Sequence, residues 1–370
     1  MAPLFYMKQL FTLIVIFSIV RNCSPTVVPI DIDKILDSDT LSIDSFIDSV
    51  QIIPLEDTEE SHLINGGRYV YSFGNDRIAI LDCFSDFSIR VFDYEGHFLA
   101  RIGRQGENAG EYSFAYDIEI DDDSNMLVVL DPVGKIIRYS LCDNYGFVDE
   151  LSFLGAITAG HYIKAIGDNQ YAIFSLSDSH QVHICSFADR KVTSLRYSVP
   201  EGILLSPFSS TTSPFHFHNG ELFVTRSYDG HIFKIDGKKV KPHLFWDFGQ
   251  YRIREKDIPV KASSAYYLNL FRKSSYRFAT QFSFTQESDH YIMSQFSFRG
   301  VGHFLFYDKE KKEPHVIQRT KDGKRLVVGY CRGNVMYRPV RPDYLNTFYT
   351  GYSDDNPSYQ NHVIIKYSLR

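Results

Sequence analysis

One short pattern recurs six times along the 370 residues: a turn residue, a polar residue and then a hydrophobic strand. The clearest copies read GKIIRY, GHIFKI and GHFLFY. The six copies begin at Phe87, Gly134, His180, Gly230, Gly302 and Asn361. Self-similarity at an interval of about 50 residues indicates a repeat architecture, in which each unit buries its apolar surface against its neighbours.

Further strand-like segments flank each copy. In the second unit, AYDIEI and MLVVLD precede the copy and FVDELSF follows it. Residues 116–121 alternate apolar and acidic side chains, which is the period of a strand with two different faces. Four antiparallel strands per unit and six units predict an all-β fold, a six-bladed β-propeller.

The two ends of the chain predict how the ring closes. The sixth unit stops at Arg370 after its third strand, whereas the strand-like segment DSVQIIPLE at residues 48–56 has no unit of its own. We expect residues 48–56 to pair with residues 362–368, since the last blade would otherwise expose an unpaired edge. The propeller is thus predicted to occupy residues 45–370, with an insertion near residues 251–276 between the fourth and fifth copies.

The N-terminus predicts export. Met7 is followed by a lysine and by an apolar run over residues 10–20, which is too short to span a bilayer and is typical of a signal peptide. We therefore expect residues 1–22 to be a signal peptide, with the hypothesis that its true start is Met7. The sequence VRNC resembles a bacterial lipobox, so Cys23 is the predicted lipidation site and residues 23–44 a tether. A membrane-anchored lipoprotein of the cell envelope is expected.

Charge and cysteine spacing exclude some classes of partner and site. The chain carries 39 Lys and Arg against 45 Asp and Glu, a net charge of −6, which argues against a nucleic-acid ligand. Cysteines beyond Cys23 show no C-x-x-C spacing, and we interpret them as small buried thiols rather than disulfides or metal ligands. They are Cys83, Cys142, Cys185 and Cys331.

The glycine-rich stretch RIGRQGENAGEY at residues 101–112 has two interpretations, a phosphate cradle or a turn. Nucleotide-binding loops place a helix N-terminus directly after their glycines, whereas a strand is predicted here. Gly103, Gly106 and Gly110 are therefore expected to carry the chain from one blade to the next, with at least one of them at a positive φ.

Two groups of polar and aromatic residues are candidate ligand-binding positions. The first lies in the glycine-rich stretch, where the side chains could rim a binding surface. An alternative is that Glu111 ties down the turn while Tyr112 packs between blades. The second lies in the insertion, where arginines beside tyrosines could hold an anionic or carbohydrate ligand, unless the insertion only covers a blade. The candidates are Arg104, Gln105, Asn108, Glu111, Tyr112, Arg272 and Arg277.

Residues 92–131 resemble an NHL-type repeat: a strand, a G-x-x-G-x-x-x-G-E-Y link, a strand that ends in acids, and the run NMLVVLD. Residues 45–370 as a whole are similar to the six-bladed β-propeller lipoproteins of Gram-negative gut anaerobes. In that family an I-x-L-E strand follows the lipobox and a hydrophobic strand ends the chain, as IIPLED and HVIIKYSLR do here. The resemblance implies the fold and the cell envelope but no settled activity.

The search for catalytic chemistry leaves two hypotheses. G-x-S-x-G and H-E-x-x-H motifs are absent from the sequence. His216 and His218 lie two apart on a predicted inner strand, so both could face the axial channel and either bind a metal or pack there as polar lining. A third ligand cannot be assigned from the sequence, although His161 and Glu119 lie on the inner strands of other blades. We favour a non-catalytic binding or scaffolding module for a peptide, glycan or partner protein, without a cofactor. The alternative is a hydrolase or lyase with a metal in the central channel.

Overall fold

The structure is a computed structural model, and it describes the chain in ten stretches. These are residues 24–37, 42–64, 67–142, 144–178, 180–195, 212–259, 263–317, 323, 329–348 and 359–370. The predicted signal peptide and Cys23 lie outside the described residues.

The chain forms six sheets arranged as blades around an axis, preceded by a short N-terminal segment. That segment contains β1 (Thr26–Pro29), α1 (Ile32–Asp37) and β2 (Ile47–Pro54). Blade 1 holds β3 (Tyr69–Phe73), β4 (Ile78–Asp82), β5 (Ile89–Phe92) and β6 (Phe98–Ile102). Blade 2 holds β7 (Asp117–Asp121), β8 (Met126–Asp131), β9 (Lys135–Ser140) and β10 (Phe147–Ser152). Blade 3 holds β11 (Tyr162–Ala165), β12 (Gln170–Phe174), β13 (Val182–Ser186) and β14 (Lys191–Leu195).

The remaining blades contain longer connections. Blade 4 holds β15 (Phe215–His218), β16 (Glu221–Thr225), β17 (His231–Asp236) and β18 (Lys239–Asp247), and α2 (Ser264–Arg277) follows it. Blade 5 holds β19 (Thr280–Glu287), β20 (Tyr291–Phe298), β21 (Val301–Asp308) and β22 (Glu313–Ile317). Blade 6 holds β23 (Tyr330–Arg332), β24 (Val335–Val340) and β25 (Val363–Leu369), with α3 (Leu345–Phe348) between its last two strands.

Each blade contains four strands in which neighbours are antiparallel, so the predicted six-bladed β-propeller is confirmed. The apolar core lies in wedges between successive blades, and the wedge between blades 1 and 2 contains Leu81 and Leu127. Second strands such as β4 are buried along their whole length, because a neighbouring blade covers each of their faces. Outer strands such as β10 are largely exposed. Continuous apolar runs therefore mark the middle of a blade, as expected for strands buried on both faces.

The ring closes because a strand near the N-terminus pairs with the last strand of the chain. β2 pairs antiparallel with β25, with Ile52 opposite Ile365, and completes blade 6 as its fourth strand. This confirms the pairing predicted for residues 48–56. Asn361 fixes the junction, because its side-chain amide donates to the carbonyl oxygens of Glu56 at 2.8 Å and Ser61 at 3.0 Å. β25 is then paired on both sides, and β2 is the outer strand of blade 6.

The N-terminal segment differs from a simple tether over residues 23–44. β1 adds to blade 4 as a fifth strand, parallel to β18, and the hydrophobic side chains of Val28 and Ile30 are buried in the core there. Asp33 of α1 then accepts hydrogen bonds from Tyr251 at 2.6 Å and from Arg299 at 2.9 Å. The open edge of β18 and the apolar side chains that follow Cys23 explain why this stretch docks.

The predicted insertion contains a helix that periodicity did not indicate. α2 has Ser263 as its N-cap, whose hydroxyl accepts the backbone N–H of Tyr266 at 3.2 Å. Leu270 packs against a small core of Tyr228, Ile253 and Ile258. Serine before the helix was a usable N-terminal signal, although the apolar pattern that follows it is too weak to define a helix face.

The two faces of the disc differ. We call the face at which the inner strands begin the loop face, because the blade-to-blade connections and α2 lie there. Arg68, directly before β3, lies 5.8 Å from the ring centroid of Tyr116, directly before β7, so these strand starts are neighbours. We call the opposite face the turn face. There Asp122, after β7, forms an ion pair with Arg332 at the end of β23.

Candidate functional site: the axial channel

The inner strands of all six blades line one cavity of about 520 Å³ along the axis. β3, β7, β11, β15, β19 and β23 all contribute side chains. Runs of consecutive residues of β3 and β7 line it, because each blade turns the edge of its inner strand toward the axis. The cavity therefore collects groups that lie up to hundreds of residues apart in the sequence.

Strand β7 contributes three carboxyl groups to the channel wall, at Asp117, Glu119 and Asp121. Asp121 accepts hydrogen bonds from the hydroxyl groups of Ser124 and Tyr171. The side chain of Asp117 is buried, and it accepts the backbone N–H of Ile163 from blade 3 at 2.8 Å. Burial raises the pKa of Asp117 to about 8, because desolvation disfavours the charged carboxylate. The hydrogen bond from Ile163 and the charge of Lys164 lower the pKa, but their effect is smaller. Asp117 thus retains its proton near neutral pH and can donate a hydrogen bond.

The second carboxyl group is paired across blades. Lys164 of β11 donates to Glu119 at 2.5 Å. Burial raises the pKa of Glu119, and the ammonium of Lys164 partly opposes that rise. The Glu119–Lys164 ion pair therefore lines the channel, and its two partners come from blades 2 and 3.

Aromatic rings form much of the remaining wall. Tyr116 and Tyr162 stand near the loop face with their ring centroids 6.4 Å apart in an edge contact. Deeper in the channel, Tyr330 accepts the backbone N–H of Tyr71 through its hydroxyl at 3.3 Å, and burial raises the pKa of Tyr330. Phe217 of β15 is about one-third exposed. Such rings offer flat apolar surface beside polar tips.

The turn-face end of the channel is held by a charged network. Arg332 pairs with Asp122 at 2.5 Å and donates to the carbonyl oxygen of Phe73 at 2.8 Å and to Asn75 at 2.8 Å. Asp122 also accepts the backbone N–H of Asn75 at 2.7 Å. Blades 1, 2 and 6 are therefore joined at this end by groups whose hydrogen bonds are satisfied within the protein.

The glycine-rich turn does not line the channel, and its polar groups bond to one another. The carboxylate of Glu111 accepts a hydrogen bond from the guanidinium of Arg104 at 2.5 Å. It also accepts hydrogen bonds from the backbone N–H of Asn108 at 3.0 Å and from the side-chain amide of Asn108 at 2.8 Å. Gln105 donates to the carbonyl oxygen of Ser113 at 2.8 Å. The hydrogen bonds from Asn108 and Arg104 hold the pKa of Glu111 below its usual range. The hydrogen-bonding capacity of the Glu111 carboxylate is thus largely used by donors within the turn.

The glycines serve the turn as the sequence indicated. Gly103 has φ +69° and Gly110 has φ +74°, which confirms the expectation of at least one positive φ. Gly106 is not in that region, but a Cβ there would collide with the carboxylate of Glu111. Tyr112 is fully buried, and its hydroxyl donates to the carbonyl oxygen of Phe87 at 2.5 Å. This geometry matches the architectural interpretation of Glu111 and Tyr112.

The second group of candidates lies elsewhere on the ring. Arg272 and Arg277 are exposed on α2, outside the residues that line the channel. The guanidinium of Arg277 lies 5.1 Å from the ring centroid of Phe278. Because α2 connects blades 4 and 5 while the glycine-rich turn connects blades 1 and 2, the fold does not unite the two predicted groups into one site.

The expectation that His216 and His218 face the channel is wrong. The two residues do share one side of β15, but the channel is lined by Phe215 and Phe217. His216 is fully buried, stacks on Phe223 at 4.8 Å, and lies 3.8 Å from a carboxylate oxygen of Glu287 in blade 5. The alternation of side chains correctly placed both histidines on the same side of β15. It could not predict which side faces the channel.

Metal ligation finds no geometric support in the described residues. No group of three or more His, Cys, Asp or Glu side chains there is arranged to hold a metal ion. The four cysteines that the structure describes are free: Cys185 is buried as expected and Cys83 and Cys331 are half-buried, whereas Cys142 is exposed, contrary to the buried thiol predicted. Sequence reasoning singled out Glu119 only as a metal ligand, and it missed Asp117 and Lys164. The alternating acids of β7 were the available signal.

Comparison with known families now places the chain. The family described as a domain of unknown function, DUF4934, matches residues 26–361. The chain belongs to this family. No curated protein matches the sequence. No helix in the described part of the DUF4934 protein is long and apolar enough to cross a membrane.

Two solved structures are similar to the DUF4934 protein in fold. A supposed exported protein from Bacteroides fragilis NCTC 9343 has a TM-score of 0.68 at 14% identity, over 94% of this chain and 100% of that one. A member of the DUF4221 family from Bacteroides vulgatus has a TM-score of 0.51 at 9% identity, over 88% of this chain and 97% of that one. At such low identities these similarities show a shared fold only.

Proposed function

We propose that the DUF4934 protein is an exported, lipid-anchored binding module of the cell envelope that admits part of a peptide, glycan or partner protein to its axial channel. The observation that carries the proposal is the convergence of six inner strands on one cavity of about 520 Å³ with aromatic and charged walls. Concave sites with apolar walls and a few placed polar groups are the usual form of ligand sites.

The arrangement of charges favours binding over catalysis. Glu119 is paired with Lys164, and Asp122 with Arg332. A ligand can hydrogen-bond to such pairs without leaving a buried charge uncompensated. The alternative, a hydrolase or lyase with a metal in the channel, needs converging ligands that the described residues do not supply. Asp117 instead offers a neutral carboxyl group that can donate or accept a hydrogen bond.

Export and anchoring rest on the N-terminal sequence. The apolar run after Met7 and the lipobox-like VRNC support a secreted protein lipidated at Cys23. The B. fragilis relative in fold carries a name that supposes export.

Substitution Cys23→Ala is expected to move the protein from membranes to the soluble fraction, because each buried CH₂ of an acyl chain supplies about 0.8 kcal/mol. Cys142→Ala, at an exposed cysteine, is the matched control, and membrane retention by Cys23→Ala contradicts lipid anchoring.

The channel is tested with glycan and peptide arrays probed by the purified protein. Candidates that bind the wild type are titrated against Phe217→Ala and Glu119→Gln, which change the channel wall, and against Arg272→Ala/Arg277→Ala on α2. The proposal expects the two channel variants to lose at least about tenfold in affinity, since each removes about 1.4 kcal/mol or more of contact energy. It expects the α2 variant to bind as the wild type does. Binding that is lost in the α2 variant and kept in both channel variants would contradict it.

A further inference from the structure

The N-terminal strand approaches the disc from one side. β1 runs parallel to β18, with Thr26 opposite Leu244 and Pro29 opposite Asp247. β18 is antiparallel to β17, β17 to β16 and β16 to β15, so β18 runs opposite to the inner strand of its blade. β15 begins at the loop face, where the rings of Phe215 and Phe174 are 5.9 Å apart. β18 and β1 therefore both start toward the turn face.

This direction constrains where the chain before β1 comes from. Cys23 stands three residues before Thr26 in the sequence. Three residues span at most about 10 Å. The chain therefore enters β1 from the side of blade 4 on which β18 starts, and in the sequence Cys23 precedes that entry point by three residues.

The turn that leads into β18 is rich in lysine. We call residues 234–241 the lysine hairpin; it contains four lysines and one acid, Asp236. Lys238, Lys239 and Lys241 are exposed, and Lys241 pairs with Asp236. Lys234 pairs with Glu221 of the neighbouring strand. A cluster of positive charge thus lies at the turn face of blade 4, in a chain whose net charge is −6.

We propose that the lysine hairpin is a membrane-contact surface that binds anionic phospholipid headgroups beside the lipid on Cys23. The turn face is then directed toward the bilayer, and the loop face, with its channel mouth at Arg68 and Tyr116, is directed away from it. The inference rests on the proposed lipid anchor for its orientation. One lipid signal with an adjacent basic patch is a combination that holds proteins stably at membranes.

The orientation is tested on the lipidated full-length protein in vesicles that contain phosphatidylglycerol. A membrane-impermeant, amine-reactive reagent labels exposed lysines, and peptide mass spectrometry reads each position in vesicles and in detergent. We expect Lys238 and Lys239 to be labelled less in vesicles than in detergent, whereas labelling of Lys273 on α2 is unchanged. Equal labelling of the lysine hairpin in both states, or protection of Lys273 instead, would overturn the proposed orientation.

A second measurement does not depend on the anchor. The Cys23→Ala protein is sedimented with phosphatidylglycerol vesicles at low salt, with and without Lys238→Glu/Lys239→Glu. Each lysine removed near an anionic surface is expected to weaken binding about fivefold. Arg272→Glu/Lys273→Glu on α2 is the matched charge reversal and should leave binding unchanged.

The two failures are distinguishable. If the wild type does not partition into vesicles, the lipid anchor of the proposed function is wrong, and the sedimentation measurement alone decides the membrane-contact surface. If the lysine hairpin variant sediments as well as its control, the membrane-contact surface is wrong even where the anchor is present.

Discussion

The glycine-rich turn at residues 103–112 and strand β7 are neighbours in the chain, but their polar groups have different partners. In the turn, Glu111 receives its hydrogen bonds from Arg104 and Asn108, within eight residues. In β7, Asp117 bonds to Ile163 of the next blade. Lys164, also of the next blade, pairs with Glu119.

This difference separates architecture from a candidate site. Polar groups that satisfy one another locally have little capacity left for a ligand, since each oxygen accepts a limited number of hydrogen bonds. Polar groups that meet from different blades mark the place where the fold brings distant residues to a shared cavity. Substitutions in the turn should therefore change stability alone, whereas substitutions in β7 should change the properties of the channel.

The largest effect is expected at the buried ring of the turn. Tyr112→Ala should lower the free energy of unfolding by about 3–5 kcal/mol, because it removes a fully buried aromatic side chain. Tyr112→Phe, which loses only the hydrogen bond to Phe87, should cost about 1 kcal/mol. Urea unfolding measures both. If Tyr112→Ala lowers the free energy of unfolding by less than Tyr112→Phe does, packing of this ring does not stabilise the turn.

The channel should show a pH dependence that the turn lacks. The pKa of Asp117 is about 8 in the folded protein and about 4 in an unfolded chain, so the folded state keeps a proton that the unfolded state releases between these values. Stability should therefore fall as pH rises through this window, by at most about 1.4 kcal/mol per pH unit. Below the unfolded pKa both states are protonated and the penalty is absent.

Asp117→Asn should reduce that slope, and the raised pKa of Glu119 leaves a remaining slope of the same sign. Relative to the wild type, the variant should gain up to about 3 kcal/mol of stability between about pH 5 and pH 7. Unfolding by urea at several pH values measures the difference, and Asp123→Asn, at an exposed position two residues after the end of β7, is the control. An unchanged slope in Asp117→Asn would show that Asp117 does not hold its proton in the channel.

A smaller effect should distinguish the glycines. Gly106→Ala should destabilise by about 1–2 kcal/mol, because the new Cβ displaces the carboxylate of Glu111 and its hydrogen bonds. Gly146→Ala is the matched control, since a Cβ there has no atom within 4 Å. Thermal unfolding compares the two. If they behave alike, close packing around Gly106 does not contribute to the turn.

The smallest effect is expected at the exposed end of the turn. The side chain of Arg104 is 78% exposed, so its ion pair with Glu111 is largely screened by solvent. Arg104→Ala should therefore change the free energy of unfolding by less than about 1 kcal/mol. Binding of any channel ligand should also remain unchanged, and a clear loss of affinity would return Arg104 to the candidate binding surface.

Local patterns in the sequence were sufficient for the six blades and for the closure of the ring, but not for α2 or for the docking of β1 on blade 4. The six copies of the strand pattern, the unit length and the unpaired segment at residues 48–56 predicted six blades and the pairing of β2 with β25. The positive φ of Gly103 and Gly110 also followed from local chemistry. These features depend on backbone conformation and on the period of apolar residues, both of which neighbours in the chain determine.

The candidate site depends on packing between blades, which the sequence does not state. Alternation placed His216 and Phe217 on opposite sides of β15, but only the neighbouring blades decide that Phe217 meets the axis while His216 packs toward Glu287. Likewise, Lys164 reaches Glu119 because adjacent inner strands converge, although 45 residues separate them. A period of two defines the faces of a strand, whereas the direction of each face is set by the elements that cover it.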